Sequence, residues 1–236
     1  MNLELEGRSV LVMGGTKGIG LACARQFHAE GASVTLCGRS QDGVDAALAE
    51  LPGAVGLAAD VTNEADMGRV HDAAVAAFGK VDVLVINAGG PPAGPFDKLT
   101  DADWAKAVDL TLMSAVRAAR LVLPGMRARR WGRIVIVSSF GVKQPVPNLS
   151  LSNSIRMAVL GWAKTLATQV GPDNVTVNTV CPGWTMTDRV TSLLSQSEDA
   201  EAMRAGIVSA IPLGRIGEAD EIAKLAVFLA PGPPAT

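Results

Sequence analysis

The sequence predicts an α/β protein with a doubly wound parallel sheet of about six to seven strands and helices on both faces. Three observations carry this prediction. Short, continuously apolar β-branched runs alternate with Ala-rich stretches of helical spacing, the pattern of strands buried on both faces and their crossover helices. The first run leads through a glycine-rich turn straight into a helix. The composition supplies a core: 48% of the 236 residues are hydrophobic and 19% charged. That is too apolar for a disordered chain, and the length suits one domain over residues 1–236.

The elements follow in order. Ser9 to Met13 reads as a strand, Gly18 to Glu30 as a helix, Ser33 to Gly38 as a strand and Val44 to Leu51 as a helix. Val55 to Ala59 is a short strand, Glu64 to Gly79 a helix and Val81 to Ile86 an apolar strand, followed by a Pro/Gly loop from Gly89 to Pro95. Asp101 to Met126 reads as one long helix, Arg133 to Ser138 as a strand, Ser152 to Val170 as a helix and Val175 to Cys181 as a strand. Loop and helices complete the chain, with Glu218 to Ala230 the last helix before a Pro-rich tail, Pro231 to Pro234. Right-handed crossovers place these helices on both sides of the sheet.

Composition also excludes some partners. A formal net charge of -2 gives no electrostatic case for nucleic acid or an anionic membrane surface. The one basic concentration, Arg127, Arg129, Arg130 and Arg133, reads as a solvated helix end. No apolar run reaches the roughly 20 residues of a membrane helix. Cys23, Cys37 and Cys181 read as buried thiols of a reducing compartment, with no metal-ligand spacing. Met1-Asn2-Leu3-Glu4 lacks a basic n-region before an apolar run, so a cytoplasmic protein without a secretory leader is expected.

The glycine-rich turn is Gly14-Gly15-Thr16-Lys17-Gly18-Ile19-Gly20. Its glycines let the backbone approach a phosphate, and the following helix N-terminus offers free N–H groups and a positive dipole end. That position, opening the first βα unit, marks a Rossmann-type dinucleotide site. The second strand ends Cys37-Gly38-Arg39-Ser40 with no acid to take a ribose 2′-hydroxyl. Arg39 can meet a 2′-phosphate bidentately and Lys17 can approach from the other side, which favours NADP(H).

From these residues outward the chain resembles the short-chain dehydrogenases/reductases. Gly14-x-x-x-Gly18-Ile19-Gly20 and Asn87-Ala88-Gly89 match the family's cofactor motifs. The resemblance implies that Asp60 and Val61 hold the adenine. It places Pro182-Gly183 and the segment from Thr185 to Thr187 at the nicotinamide carboxamide. Trp104, Leu123-Pro124-Gly125-Met126 and Ser138-Ser139 are also in register. Met13 and Ile86 depart from the pattern, and no Val-Asp-Gly-Gly strand follows Phe228-Leu229-Ala230. The resemblance further implies a homodimer or tetramer through the long Asp101 helix and the Ser152 helix.

The family places Asn, Ser, Tyr and Lys around a reacting carbonyl. Only the serine carries over, as Ser139. The tyrosine position falls on Ser152, the lysine position on Arg156 and the asparagine position on Thr111, and the chain contains no tyrosine at all. Arginine, with a pKa above about 12, is no proton donor, but Arg156 can bond ribose hydroxyls and supply positive charge. His28 and His71 lie on early helices, away from the strand ends, and Lys143 follows Ser139 in a loop. The run from Asn87 to Phe96, with Asn148 to Asn153, resembles an atypical, tyrosine-less subgroup akin to β-ketoacyl carrier-protein reductases and to angucyclinone ketoreductases.

Three loops, Gly90 to Phe96, Phe140 to Ser150 and Trp184 to Ser197, are expected to form the substrate pocket. They carry Phe140, Trp184, Met186 and Leu193-Leu194 with few charges, which suits a flat apolar ligand. The expectation is an NADPH-dependent ketoreductase of a small-molecule substrate, an apolar, aromatic polyketide ketone, with no metal: hydride comes from the nicotinamide, Ser139 orients the carbonyl, and Ser152 and Thr111 are polar helpers. The alternative is a non-catalytic NADP(H)-binding protein on the same scaffold.

Overall fold

The computed structural model describes residues 2–231; the predicted Pro-rich tail beyond Pro231 lies outside them. The strands β1 (Ser9–Val12), β2 (Ser33–Gly38), β3 (Val55–Ala58), β4 (Val83–Ile86), β5 (Gly132–Val137) and β6 (Val175–Val180) form one sheet in the order β3-β2-β1-β4-β5-β6. Every pairing is parallel, with Val10 against Val34 on one side and Val83 on the other. Two further strands, β7 (Thr185–Met186) and β8 (Gly217–Glu218), pair with each other outside this sheet.

The helices are α1 (Gly18–Ala29), α2 (Gln41–Ala49), α3 (Glu64–Phe78), α4 (Asp101–Val108), α5 (Ser114–Ala128), α6 (Ser150–Val170), α7 (Asp188–Ser195), α8 (Ala200–Ser209) and α9 (Ala219–Phe228). Strand side chains alternate between the two faces with period two. Leu11, Leu84, Ile86, Ile134 and Ile136 pack with α3, α5 and α6. Val10, Val12, Val83, Val85, Val135 and Val137 pack with α1, α2 and α9. Each such aliphatic side chain contributes about 1.5–3 kcal/mol when taken from water. The strand order reverses between β2-β1 and β4-β5, which opens a crevice where the loops after β1 and β4 diverge.

Four expectations change. The long helix from Asp101 to Met126 is two helices joined by a π-turn at Asp109–Met113, which rotates the residues after it relative to α4. The segment from Trp184 to Ser197 is no plain loop, since it holds β7 and α7. The basic cluster is no solvated helix end: Arg133 is buried, stacks on Trp131 at 4.4 Å and donates to the Pro231 carbonyl, while Arg127 pairs with Asp173 and Arg129 with Asp82. Cys23 and Cys37 are buried, but Cys181 is exposed because it follows the last residue of β6.

Candidate active site

The site begins at the turn after β1. Gly14 and Gly18 have φ of +57° and +52°, the left-handed region in which a side chain is strained. A Cβ on Gly20 would lie 2.0 Å from the Gly14 carbonyl oxygen, so only glycine lets α1 start this close to the turn. The Asn87 amide donates to the Gly14 carbonyl at 3.1 Å and ties the end of β4 to the turn. Lys17 is the N-cap of α1 and its side chain caps no N–H, which leaves the helix end open to an anion.

A cleft of about 660 Å³ spreads over the C-terminal ends of the strands. Gly14, Thr16, Lys17, Gly18, Ile19 and Arg39 line its first part, with Asp60, Val61, Asn87, Ala88 and Gly89 beside them. The exposed Arg39 follows β2 with no carboxylate in its place, and Asp60 is braced by accepting from the Thr62 amide and hydroxyl at 2.9 and 2.8 Å. The turn, the open helix end and the two cations fit a dinucleotide bearing a 2′-phosphate, NADP(H). Two predicted contacts fall outside the cleft lining. Gly20 acts through close packing, and Ser40 is the N-cap of α2, accepting from the Gly43 amide at 3.3 Å.

The second part of the same cleft holds Ser139, Ser152 and Arg156, together with Pro182, Gly183, Thr185 and Thr187. Ser139 caps a short helical turn by accepting from the Gly141 amide at 3.1 Å. Arg156 donates through Nε to Ser152 Oγ at 3.2 Å and through Nη1 to the Val137 carbonyl at 3.2 Å. Burial lowers its pKa below the ordinary arginine value, and the neighbouring charge of Arg189 lowers it further. The arrangement can orient a carbonyl and hold negative charge. Thr111 sits in the π-turn and does not reach the cleft. Its hydroxyl and that of Ser138, neither with a protein partner, line an adjoining cavity of about 10 Å³ that Arg156 also borders, the size of one water.

The substrate-facing loops bring only part of their apolar residues to the cleft. Phe140 and Trp184 meet in a tilted pair with ring centroids 6.2 Å apart, and Val146, Leu149 and Leu193 join them in the lining. Met186, Leu194 and the exposed Phe96 and Lys143 stand outside it. Two features escape the sequence reading. Asn153 clamps the loop before α6 through both directions of its amide on Val146, donating at 2.9 Å and accepting at 3.3 Å. Arg189 enters the cleft from α7 and donates to the Pro91 carbonyl at 2.6 Å. Its one sequence signal is a cation in the first turn of a helix. His28, bonded to the Pro52 carbonyl at 2.9 Å, and His71, beside Asp72, stay away from the cleft as expected.

A doubly wound sheet with an open, glycine-lined helix end at its switch point defines a Rossmann-type dinucleotide-binding protein. The chain belongs to the short-chain dehydrogenase/reductase family: a family profile described as enoyl-(acyl carrier protein) reductase matches residues 14–232. It is 35% identical over 232 residues to the 3-oxoacyl-acyl-carrier-protein reductase FabG of Escherichia coli K12, covering 97% of this chain and 91% of that protein. A single-residue variant of actinorhodin polyketide ketoreductase, solved with NADPH, superposes with a TM-score of 0.90 at 34% identity, over 96% of this chain and 90% of the other. The L-sorbose reductase of Gluconobacter frateurii, solved with NADPH and L-sorbose, gives 0.91 at 30% identity, over 98% and 92%. Among the described residues no helix is long and apolar enough to cross a membrane, and no cluster of His, Cys, Asp or Glu could hold a metal ion.

Proposed function

We propose that the protein is an NADPH-dependent ketoreductase acting on an aromatic, angucyclinone-like polyketide ketone without the family's tyrosine. The observation that carries this reading is the single cleft that joins the cofactor cradle at Gly14–Gly20 to Ser139, Ser152 and Arg156. The similarity to a polyketide ketoreductase and to an acyl-carrier-protein reductase supports the substrate class. When bound, NADPH supplies the hydride. Ser139 orients the carbonyl by donating its hydroxyl, and Arg156 holds the ribose and places positive charge beside the carbonyl oxygen.

The proton comes from the substrate. A phenol next to the ketone already hydrogen-bonds the carbonyl oxygen; its proton neutralises the oxygen as the new C–H bond forms, and water then reprotonates the phenolate. A positioned general acid is worth roughly 10²–10⁴-fold, whereas orientation can supply up to about 7–11 kcal/mol. Loss of tyrosine is therefore compatible with turnover. The absence of any tyrosine also favours a second reading, a non-catalytic NADP(H)-binding protein.

The test is NADPH oxidation against polycyclic ketones bearing an adjacent phenol, paired with their O-methyl ethers, with NADH in parallel. Turnover of the free phenols alone, with NADPH preferred, is the expected result. Tight NADPH binding without turnover of any ketone would establish the second reading. Ser152→Ala is expected to keep turnover within a few-fold; a loss beyond roughly 100-fold would make Ser152 the acid and sink substrate-derived protonation.

A further inference from the structure

We propose that Arg156 and Arg189 form a paired oxyanion site in the cleft wall, so that the preferred ligand is a ketone carrying an acidic oxygen, a carboxyl or a phenol, next to its carbonyl. Calling that ligand a substrate rests on the ketoreductase reading; the site itself does not.

Both arginines line the same cleft as Ser139, Ser152 and Trp184. Among the described residues neither forms an ion pair. The carboxylates of the wall are engaged elsewhere: Asp109 with Arg117 at 2.7 Å, Asp188 with Lys17 at 3.6 Å, and Asp60 with Thr62 at 2.8 Å. Beyond the ribose hydroxyls assigned to Arg156, the positive charge of the pair is thus left for something that enters the cleft.

Arg189 is also misplaced for any role in its own helix. It is the second residue of α7, where the positive end of the dipole disfavours a cation; Asp188 is the residue that suits that turn. Its side chain is fixed across the loop after β4. The Pro91 carbonyl takes one N–H, and a Cβ on Gly90 would lie 3.3 Å from Nε. Arg156 is fixed by Ser152 and Val137. A guanidinium carries five N–H donors, so neither group is exhausted by these bonds. Burial lowers the pKa of both, and Arg189 adds to the fall at Arg156. Two partly buried like charges oppose each other in the free protein, and a bound oxyanion relieves that cost.

With a phenol the site also serves the chemistry. The phenolic O–H bond breaks, its proton passes to the carbonyl oxygen as the hydride arrives at carbon, and the phenolate charge rests against the two guanidinium groups until water returns a proton. With a carboxylate the site only holds and orients.

Binding by calorimetry tests this on the intact chain saturated with NADP⁺. The probes are ortho-acetylnaphthol with its O-methyl ether, and ortho-acetylbenzoate with its methyl ester. Arg189→Gln should weaken at least one acidic probe by about tenfold or more, the size expected for a lost charge-assisted hydrogen bond. The neutral partners and NADPH itself should shift less than about threefold, and Arg189→Lys should recover part of the loss. Equal weakening of acidic and neutral probes overturns the proposal. So does a tenfold loss of NADPH affinity with the probes unchanged, which would assign Arg189 to the cofactor phosphates. Arg189-dependent binding of an acidic probe by a protein that reduces no ketone upholds the site and overturns the ketoreductase reading.

Discussion

At the scale of single residues, Arg39 is expected to decide between two cofactors. It stands at the end of β2 where an acid would select a ribose hydroxyl, and it is exposed to the cleft. Arg39→Ala should weaken NADPH about 10–100-fold, the range for a charge-assisted hydrogen bond to phosphate, and leave NADH nearly unchanged. Fluorescence titration with both nucleotides checks it. Arg39 was legible because it follows the second strand directly. Arg189 was not, because its contacts with Gly90 and Pro91 span about a hundred positions of chain and no spacing rule joins them.

At the scale of elements, the turn after β1 tolerates no added atom at Gly20. Gly20→Ala would push a methyl against the Gly14 carbonyl. The cost expected for overpacking is about 1–3 kcal/mol, which for a chain of this size lowers Tm by roughly 2–4 °C per kcal/mol. NADPH binding should fall with it, as thermal melts with and without nucleotide would show. The start of α9 is built on charge. Arg215 grips Glu221 at 2.8 and 2.6 Å, and the Glu218 amide donates to Glu221 at 2.8 Å. These bonds hold the Glu221 carboxyl down from 4.5 to about 2. Because the folded value is depressed, the contribution is present above pH 4.5 and lost as pH falls toward 2. Glu221→Gln should flatten the acid limb of stability measured by denaturant titration. The strands were legible from their β-branched runs; the π-turn at Asp109–Met113 was not, since an extra residue in a helical turn leaves the apolar spacing on both sides intact.

At the scale of the whole molecule, the two-sided core sets the chemistry of the thiols. Burial pushes Cys23 up to about 12 and Cys37 up to about 11. Raised acids give stability that is whole below their unfolded value of 9.0 and lost as pH rises through the folded values. Unfolding midpoints should therefore fall between pH 9.0 and about 12. A thiol reagent should modify the exposed Cys181 before Cys23 and Cys37, which it reaches only when the chain unfolds, a difference that mass spectrometry of the labelled peptides resolves. Rapid labelling of Cys23 would show that α1 opens from the sheet far more easily than its packing implies.

The sequence by itself determined the sheet, the cofactor end and the absence of any tyrosine. Those rest on local signals: continuous β-branched runs, glycines that admit no side chain, and residue types within one βα unit. Tertiary structure alone decided which cations share the cleft, that Arg133 is buried on Trp131, and that Thr111 sits behind the site instead of in it. The physical reason is that burial and charge pairing depend on which distant segments the sheet order brings together, and pairing order is a property of the folded chain that neighbouring residues do not carry.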